Sequence, residues 1–187
     1  MPGNKKRALK IKLRAFTHSG IDDLELYKEM KDAGFETMIL GVESGSDEVL
    51  KMMNKQQTVA QVKKTVGIIK KSGLKINVMF MAGNMLETEE SLKATLNLAR
   101  ELKLPGWVSY AQPFPGTKFY EDCLQYGKII NNNPAAYWND KITFIPRGLS
   151  RRKLECYHDK IALALNGRVP WIAKIVNKLI AKKNKYA

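Results

Sequence analysis

An α/β fold with a parallel sheet is predicted by three features of the sequence. From Leu9 to about Gln112, short apolar runs of strand length alternate with longer stretches of helical periodicity. The central run, Thr37-Met-Ile-Leu-Gly-Val-Glu-Ser-Gly-Ser46, is apolar from Met38 to Val42 apart from Gly41, then ends abruptly in an acid, a hydroxyl, a glycine and a second hydroxyl. Such a run reads as a strand buried on both faces, as in parallel sheets. Third, Lys31-Asp-Ala-Gly34 before this strand is echoed by Lys70-Lys-Ser-Gly73 before the next. Repeated strand–helix units make either an open doubly wound sheet or a (β/α) barrel.

Each element has its own local reason. Leu9 to Leu13 alternates apolar and polar residues, which predicts a strand with one protected face, and Arg14 to Gly20 is its turn. Asp22 or Asp23 caps a helix carrying Leu24, Tyr27 and Met30, stopped by Gly34. After the central strand, Ser46 is a good N-cap, and Asp47 and Glu48 suit the positive end of a helix reaching about Met53. A longer helix starts at Thr58, with Val59, Val62, Val66 and Ile69 on one face, and ends at Gly73. Leu74 to Met81 is a third strand, and Ala82 to Glu87 its turn. Thr88-Glu-Glu-Ser91 opens a helix to about Leu102 with Leu92, Leu96 and Ala99 inward. Trp107 to Gln112 is a fourth strand, and Pro113-Phe-Pro-Gly-Thr117 a loop. Beyond Asn131-Asn-Asn-Pro134 the alternation stops. Two helices, Ser150 to Leu165 and Pro170 to Lys183, follow as an appended helical extension. The chain thus divides into 1–130, the strand–helix region, and a basic extension, 131–187.

Composition sets limits. The 187 residues suit one domain, and 44% hydrophobic with 27% charged residues is ordinary for a globular protein. No apolar run has membrane-span length and no signal peptide is recognisable, so a cytoplasmic location is the expectation. Of the net charge of +14, +9 lies from Arg147 onward. Without aromatic interleaving or a nucleic-acid motif, that reads as a solvated basic face, and nucleic acid is not indicated as a partner. Cys123 and Cys156 stand alone, which excludes a disulfide framework or cysteine-rich metal site; both read as buried structural residues. His18 and His158 are isolated, and no GxGxxG, P-loop or Ser–His–Asp spacing is present.

The turn Glu43-Ser44-Gly45 carries the chemistry. It lies at the carboxyl end of a strand, where parallel α/β folds bind ligands. Its polar residues also suit a plain helix cap. Four motifs decide between these readings: Gly41-Val-Glu-Ser-Gly-Ser46; Asn54-Lys55 with Thr58; Phe80-Met-Ala-Gly83 with Glu87-Thr88; and Pro113-Phe-Pro-Gly-Thr117. In this order and at βα spacing they resemble the radical S-adenosylmethionine (radical SAM) superfamily, in the branch carrying an upstream cobalamin-binding domain. Leu149-Ser150, Arg168 and Pro170-Trp-Ile172 are similar to the helical end of those proteins. The likeness runs from about Lys10 to Lys178.

The resemblance implies a partial (β/α) barrel, its four strands matching the third to sixth of the family's TIM-like barrel. The complete enzymes hold a 4Fe–4S cluster on a CxxxCxxC loop. They use it to cleave SAM to a 5′-deoxyadenosyl radical. Carried over, Arg14 ends the strand facing SAM, Glu43 and Ser44 meet its ribose or methionine part, and Gly83 lies where backbone approaches the adenine. A carboxylate accepts from ribose hydroxyls or an amino group, an arginine pairs with a carboxylate, and glycine admits close approach.

The chain departs from the family in three places. The cluster cysteines and the first two strand–helix units are absent, and Asn84-Met85-Leu86 replaces the usual Pro-Gly turn. The expectation is therefore the C-terminal part of a cobalamin-type radical SAM protein, without its redox centre and inactive alone. The alternative is a non-catalytic α/β domain that binds a nucleotide-like ligand or a partner protein. Either way an unpaired edge at Leu9–Leu13 is expected, with barrel-facing apolar residues, among them some of Met38, Leu40, Val78 and Phe80, left uncovered. Self-association or a complementary N-terminal half would then cover them.

Overall fold

The computed structural model describes residues 11–131, 133, 137 and 141–167. Four parallel strands form one sheet, β1 (Leu13–Thr17), β2 (Phe35–Glu43), β3 (Lys75–Ala82) and β4 (Gly106–Tyr110), adjacent in space in the order they occur in sequence. Helices α1 (Leu24–Asp32), α2 (Asp47–Met52), α3 (Val59–Ser72) and α4 (Glu89–Leu102) connect them. Beyond β4 come α5 (Lys118–Tyr126), the antiparallel pair β5 (Gly127–Ile129) and β6 (Phe144–Pro146), and α6 (Arg151–Asn166). The α/β class expected from the sequence is the one observed.

The helix starts follow from side-chain chemistry. Asp23, Ser46, Thr58, Thr88 and Ser150 each occupy an N-cap and accept a backbone N–H three residues on. Thr58 with Gln61, and Thr88 with Ser91, form reciprocal capping boxes.

The first strand lies further along than its local pattern predicts. Leu9 and Lys10 are outside the described residues, Ile11 and Lys12 are not in a strand, and pairing with β2 begins at Leu13. Leu-Arg-Ala-Phe-Thr also alternates, and this register sends Leu13, Ala15 and Thr17 towards the helices. Thr17 hydrogen-bonds there to the hydroxyl of Tyr27 on α1, 3.1 Å away. Arg14, expected to end the strand, is instead its second residue, and Thr17 ends it.

Among the described residues, one face of the sheet is packed against helices and the other is more exposed. Met38, Leu40, Val42, Ile76, Val78, Phe80, Ala82, Val108 and Tyr110 pack against Val62, Val66 and Ile69 of α3, Leu92, Leu96 and Ala99 of α4, and Leu154, Ile161 and Leu165 of α6. Met38, Leu40, Val78 and Phe80 therefore face the helices and are buried, contrary to expectation. Their neighbours in sequence make the other face: Phe16 is 72% exposed and Trp107 37%, with Ile39, Met79 and Met81 half-buried between them. The register explains the assignment, since Phe16 pairs with Ile39, and Met79 with Trp107.

The first appended helix is α6, capped by Ser150, and it packs on α4 and β4 and joins the same core. His158 stacks on Tyr110, ring centroids 4.2 Å apart, and its Nε2 lies 3.2 Å from the Val108 carbonyl. The second expected helix, Pro170 to Lys183, lies outside the described residues, as do Arg168 and Trp171. Cys123 is buried, whereas Cys156 on α6 is exposed, correcting the buried reading for that residue. No helix among the described residues is long and apolar enough to cross a membrane.

Candidate functional site

Glu43 is the last residue of β2, and the strand cannot keep its ladder there. The register with β3 slips between Gly41 and Glu43, and Glu43 adopts φ 63, in the left-handed region. A non-glycine residue there carries strain of about 1–3 kcal/mol and persists only when its surroundings hold it. The surroundings are visible. Gln57 donates from Nε2 to the carbonyls of Gly41 and Val42, at 3.0 and 3.1 Å, and Ser19 donates to its Oε1 at 2.6 Å. Lys55 Nζ pairs with Glu43 Oε1 at 2.8 Å, and the Lys55 carbonyl accepts from His18 Nε2 at 2.8 Å. Asn54 and Gln56 share the left-handed conformation at φ 54 and 46. Three of the four such non-glycine residues among those described are thus Glu43 itself and the two that flank its partner Lys55.

Ser44 lies beside Glu43 but turns the other way. It is fully buried, with its Oγ 3.2 Å from Thr95 Oγ1 on α4 and accepting the Ser46 N–H at 3.2 Å. Its hydroxyl is used up inside the protein. Gly45 rests on the same helix: a Cβ there would lie 2.5 Å from the Ala94 carbonyl oxygen, so only glycine fits.

Glu87, named above only as part of a motif, organises the end of β3. Glu87 Oε2 accepts the N–H groups of Gly83 and Asn84, at 2.9 and 3.3 Å, and Oε1 accepts from Ser91 Oγ at 2.8 Å. Burial pushes this carboxyl above its ordinary 4.5, partly offset by those donors. The turn closes on Glu87 N–H to Asn84 C=O, at 3.0 Å, with no need of a Pro-Gly pair. Gly83 has φ 86, and Leu154 of α6 would lie 3.2 Å from a Cβ at that position.

Four methionines, Met52, Met53, Met81 and Met85, line a cavity of about 370 Å³ at this end of the sheet, with Asn84, Gln112 and Phe119. That is the lower end of small-molecule site sizes, and methionine adapts to planar or irregular partners. Arg14 is elsewhere. It pairs with Thr37 at the amino end of the sheet and lines a separate cavity of about 450 Å³ with Lys70 and Lys75. Of the sequence candidates, Glu43, Ser44 and Gly83 lie at the carboxyl end of the sheet, Ser44 fully buried and Glu43 8% exposed, and Arg14 does not join them. Lys55 was quoted only as part of a motif; Gln57, Thr95 and Ser19 had no local signature, since their partners are distant in sequence.

The sequence profile of the Radical SAM superfamily matches residues 4–99, and the chain belongs to that superfamily. It is 31% identical, over 147 residues, to an uncharacterized methyltransferase of Pyrococcus horikoshii, covering 72% of this chain and 32% of that protein. It is 28% identical to the anaerobic magnesium-protoporphyrin IX monomethyl ester cyclase of Rubrivivax gelatinosus, over 54% of this chain and 18% of that one. In fold it resembles the radical SAM methyltransferase TsrM of Kitasatospora setae, solved with tryptophan and a SAM analog, at TM-score 0.57 and 14% identity, covering 83% of this chain and 36% of that one. The chain therefore spans about a third or less of these relatives' lengths.

The thiolates for the family's cluster are not in this chain. Three are needed, and the sequence holds two cysteines. Burial raises the thiol of Cys123 to about 12, and Cys156 is exposed on another helix. Among the described residues no group of three His, Cys, Asp or Glu side chains is placed to hold a metal.

Proposed function

We propose that this chain is the SAM-facing C-terminal part of a radical SAM barrel, and that alone it binds SAM or a related nucleoside without cleaving it. The observation that carries this reading is Glu43, held in a left-handed conformation at a strand's carboxyl end by four surrounding groups and offering one carboxylate edge. In this reading Glu43 and Lys55 meet the ribose or methionine part of SAM. The methionine-lined cavity beside Gly83 takes the adenine. When bound with a reduced cluster, SAM supplies a 5′-deoxyadenosyl radical; the thiolates for that cluster come from the N-terminal part of the barrel. Cobalamin belongs to an upstream domain, and the whole protein's reaction falls in the methyl- or methylthio-transfer class, by the names of its relatives. The setting is cytoplasmic. A complementary N-terminal half, or a second copy of this chain, covers the face bearing Phe16 and Trp107.

Titration calorimetry with S-adenosylhomocysteine tests the binding. We expect millimolar affinity, on the order of 4 kcal/mol, because half of the family's site is here. Glu43→Ala should abolish the signal; equal binding by wild type and variant would remove Glu43 from the site.

A further inference from the structure

We propose that two positioning residues, Thr95 on α4 and Glu87 just before its Thr88 cap, hold the Glu43 and Gly83 turns at a fixed spacing for one ligand. The inference rests on the binding function proposed above.

Ser91 and Thr95 lie one turn apart on α4 and so share a face, and Glu87 stands immediately before the Thr88 cap. All three are buried. Thr95 is a β-branched hydroxyl in a helix interior, where it has poor propensity and needs a tertiary reason. Its proton is committed, since Oγ1 donates to the Ser91 carbonyl at 2.9 Å. Its lone pairs must then accept, and two donors meet them: the Gly45 N–H at 2.9 Å and the Ser44 hydroxyl at 3.2 Å. The Ser44 oxygen in turn takes the Ser46 N–H. Every group in the turn after Glu43 has one role, and Thr95 fixes it.

One helical turn earlier, Ser91 shares its proton between Glu87 Oε1, at 2.8 Å, and the Thr88 carbonyl, at 3.0 Å. Glu87 uses its other oxygen on the Gly83 and Asn84 N–H groups. The ends of β2 and β3 are thus each tied to α4, though their own ladder slips between Gly41 and Glu43. Where that ladder slips, the helix sets the spacing. Without the Thr95 hydroxyl, Gly45 N–H and Ser44 Oγ lose their partner and the restraint one residue beyond Glu43 is gone.

The test compares Thr95→Val, which keeps the shape and removes the bonds, with Thr95→Ser, which keeps the bonds. Hydrogen exchange at the Gly45 amide and calorimetric titration with S-adenosylhomocysteine are the readouts. Thr95→Val should speed Gly45 exchange and weaken binding by about tenfold, the worth of one positioned hydrogen bond. Thr95→Ser should return both close to wild type, a rescue that loss of packing alone would not give. Unchanged Gly45 exchange in folded Thr95→Val overturns the proposal. If Thr95→Val does not fold, Thr95→Ala replaces it, with faster Gly45 exchange expected and no change overturning the proposal. Should wild type itself bind no S-adenosylhomocysteine, the functional reading fails, while the exchange comparison still decides whether Thr95 fixes the turn.

Discussion

Gly45 has no room for a side chain, and the atoms that exclude one are backbone. A Cβ there would stand 2.5 Å from the Ala94 oxygen and 2.7 Å from the Thr95 Cα, neither of which can rotate away. Gly45→Ala should therefore cost about 1–3 kcal/mol as helix and turn move apart, read as a lower urea midpoint at unchanged slope. Glu87 makes a prediction in pH. Burial holds its carboxyl above 4.5, so the folded state binds the proton more tightly than the unfolded one. The stability that Glu87 contributes is then full below its unfolded value and declines as pH rises through the folded one. Glu87→Gln lacks that titration. The stability gap between wild type and variant should narrow as pH rises above 4.5 in urea titrations; a gap that widens would reverse the sign argued here. At this scale Glu43 was legible because an acid ends an apolar run. The inward turn of Ser44 was not, because Thr95 lies fifty-one residues away.

The helices were the legible elements. Asp23, Ser46, Thr58, Thr88 and Ser150 announce their helices through local chemistry, and each is a cap in the structure. The first strand was misplaced because alternation continues on both sides of Leu13, and only the partner strand chooses between registers. The pair β5–β6, three residues each, is too short to show any period. Among elements, α6 makes the sharpest prediction. Leu154 is fully buried and lies against Gly83, so Leu154→Ala should cost about 2–5 kcal/mol in chemical denaturation. It should also speed amide exchange at Gly83. Fast exchange confined to α6 would mean that the helix does not brace the turn.

Among the described residues the sheet has one face packed on helices and one largely open. Self-association or complementation was expected from an unpaired edge and from Met38, Leu40, Val78 and Phe80. The more exposed apolar strand residues are instead Phe16, Ile39, Met79, Met81 and Trp107, because α1, α3, α4 and α6 pack on the opposite side of the sheet. Sequence alternation shows that two faces exist and leaves open which one the helices cover. Size-exclusion chromatography with light scattering should find species above the 21.2 kDa monomer at moderate salt, reduced towards it by Phe16→Lys. A clean wild-type monomer would count against an interface on this face. Anaerobic reconstitution with iron and sulfide should give neither a stoichiometric iron–sulfur absorbance nor 5′-deoxyadenosine, since two cysteines cannot supply three thiolates. Appearance of both would overturn the account of an incomplete redox site.

The strand order β1-β2-β3-β4 has a consequence for how the chain folds. Each strand's partner is the next one to leave the ribosome, so no pairing in the sheet waits for a distant segment. Loop-closure entropy is met one strand–helix unit at a time, which favours vectorial folding. The helix-side core closes as each unit arrives, with nothing needed on the open face. This sheet can be complete as a folding unit before its barrel is complete as a shape.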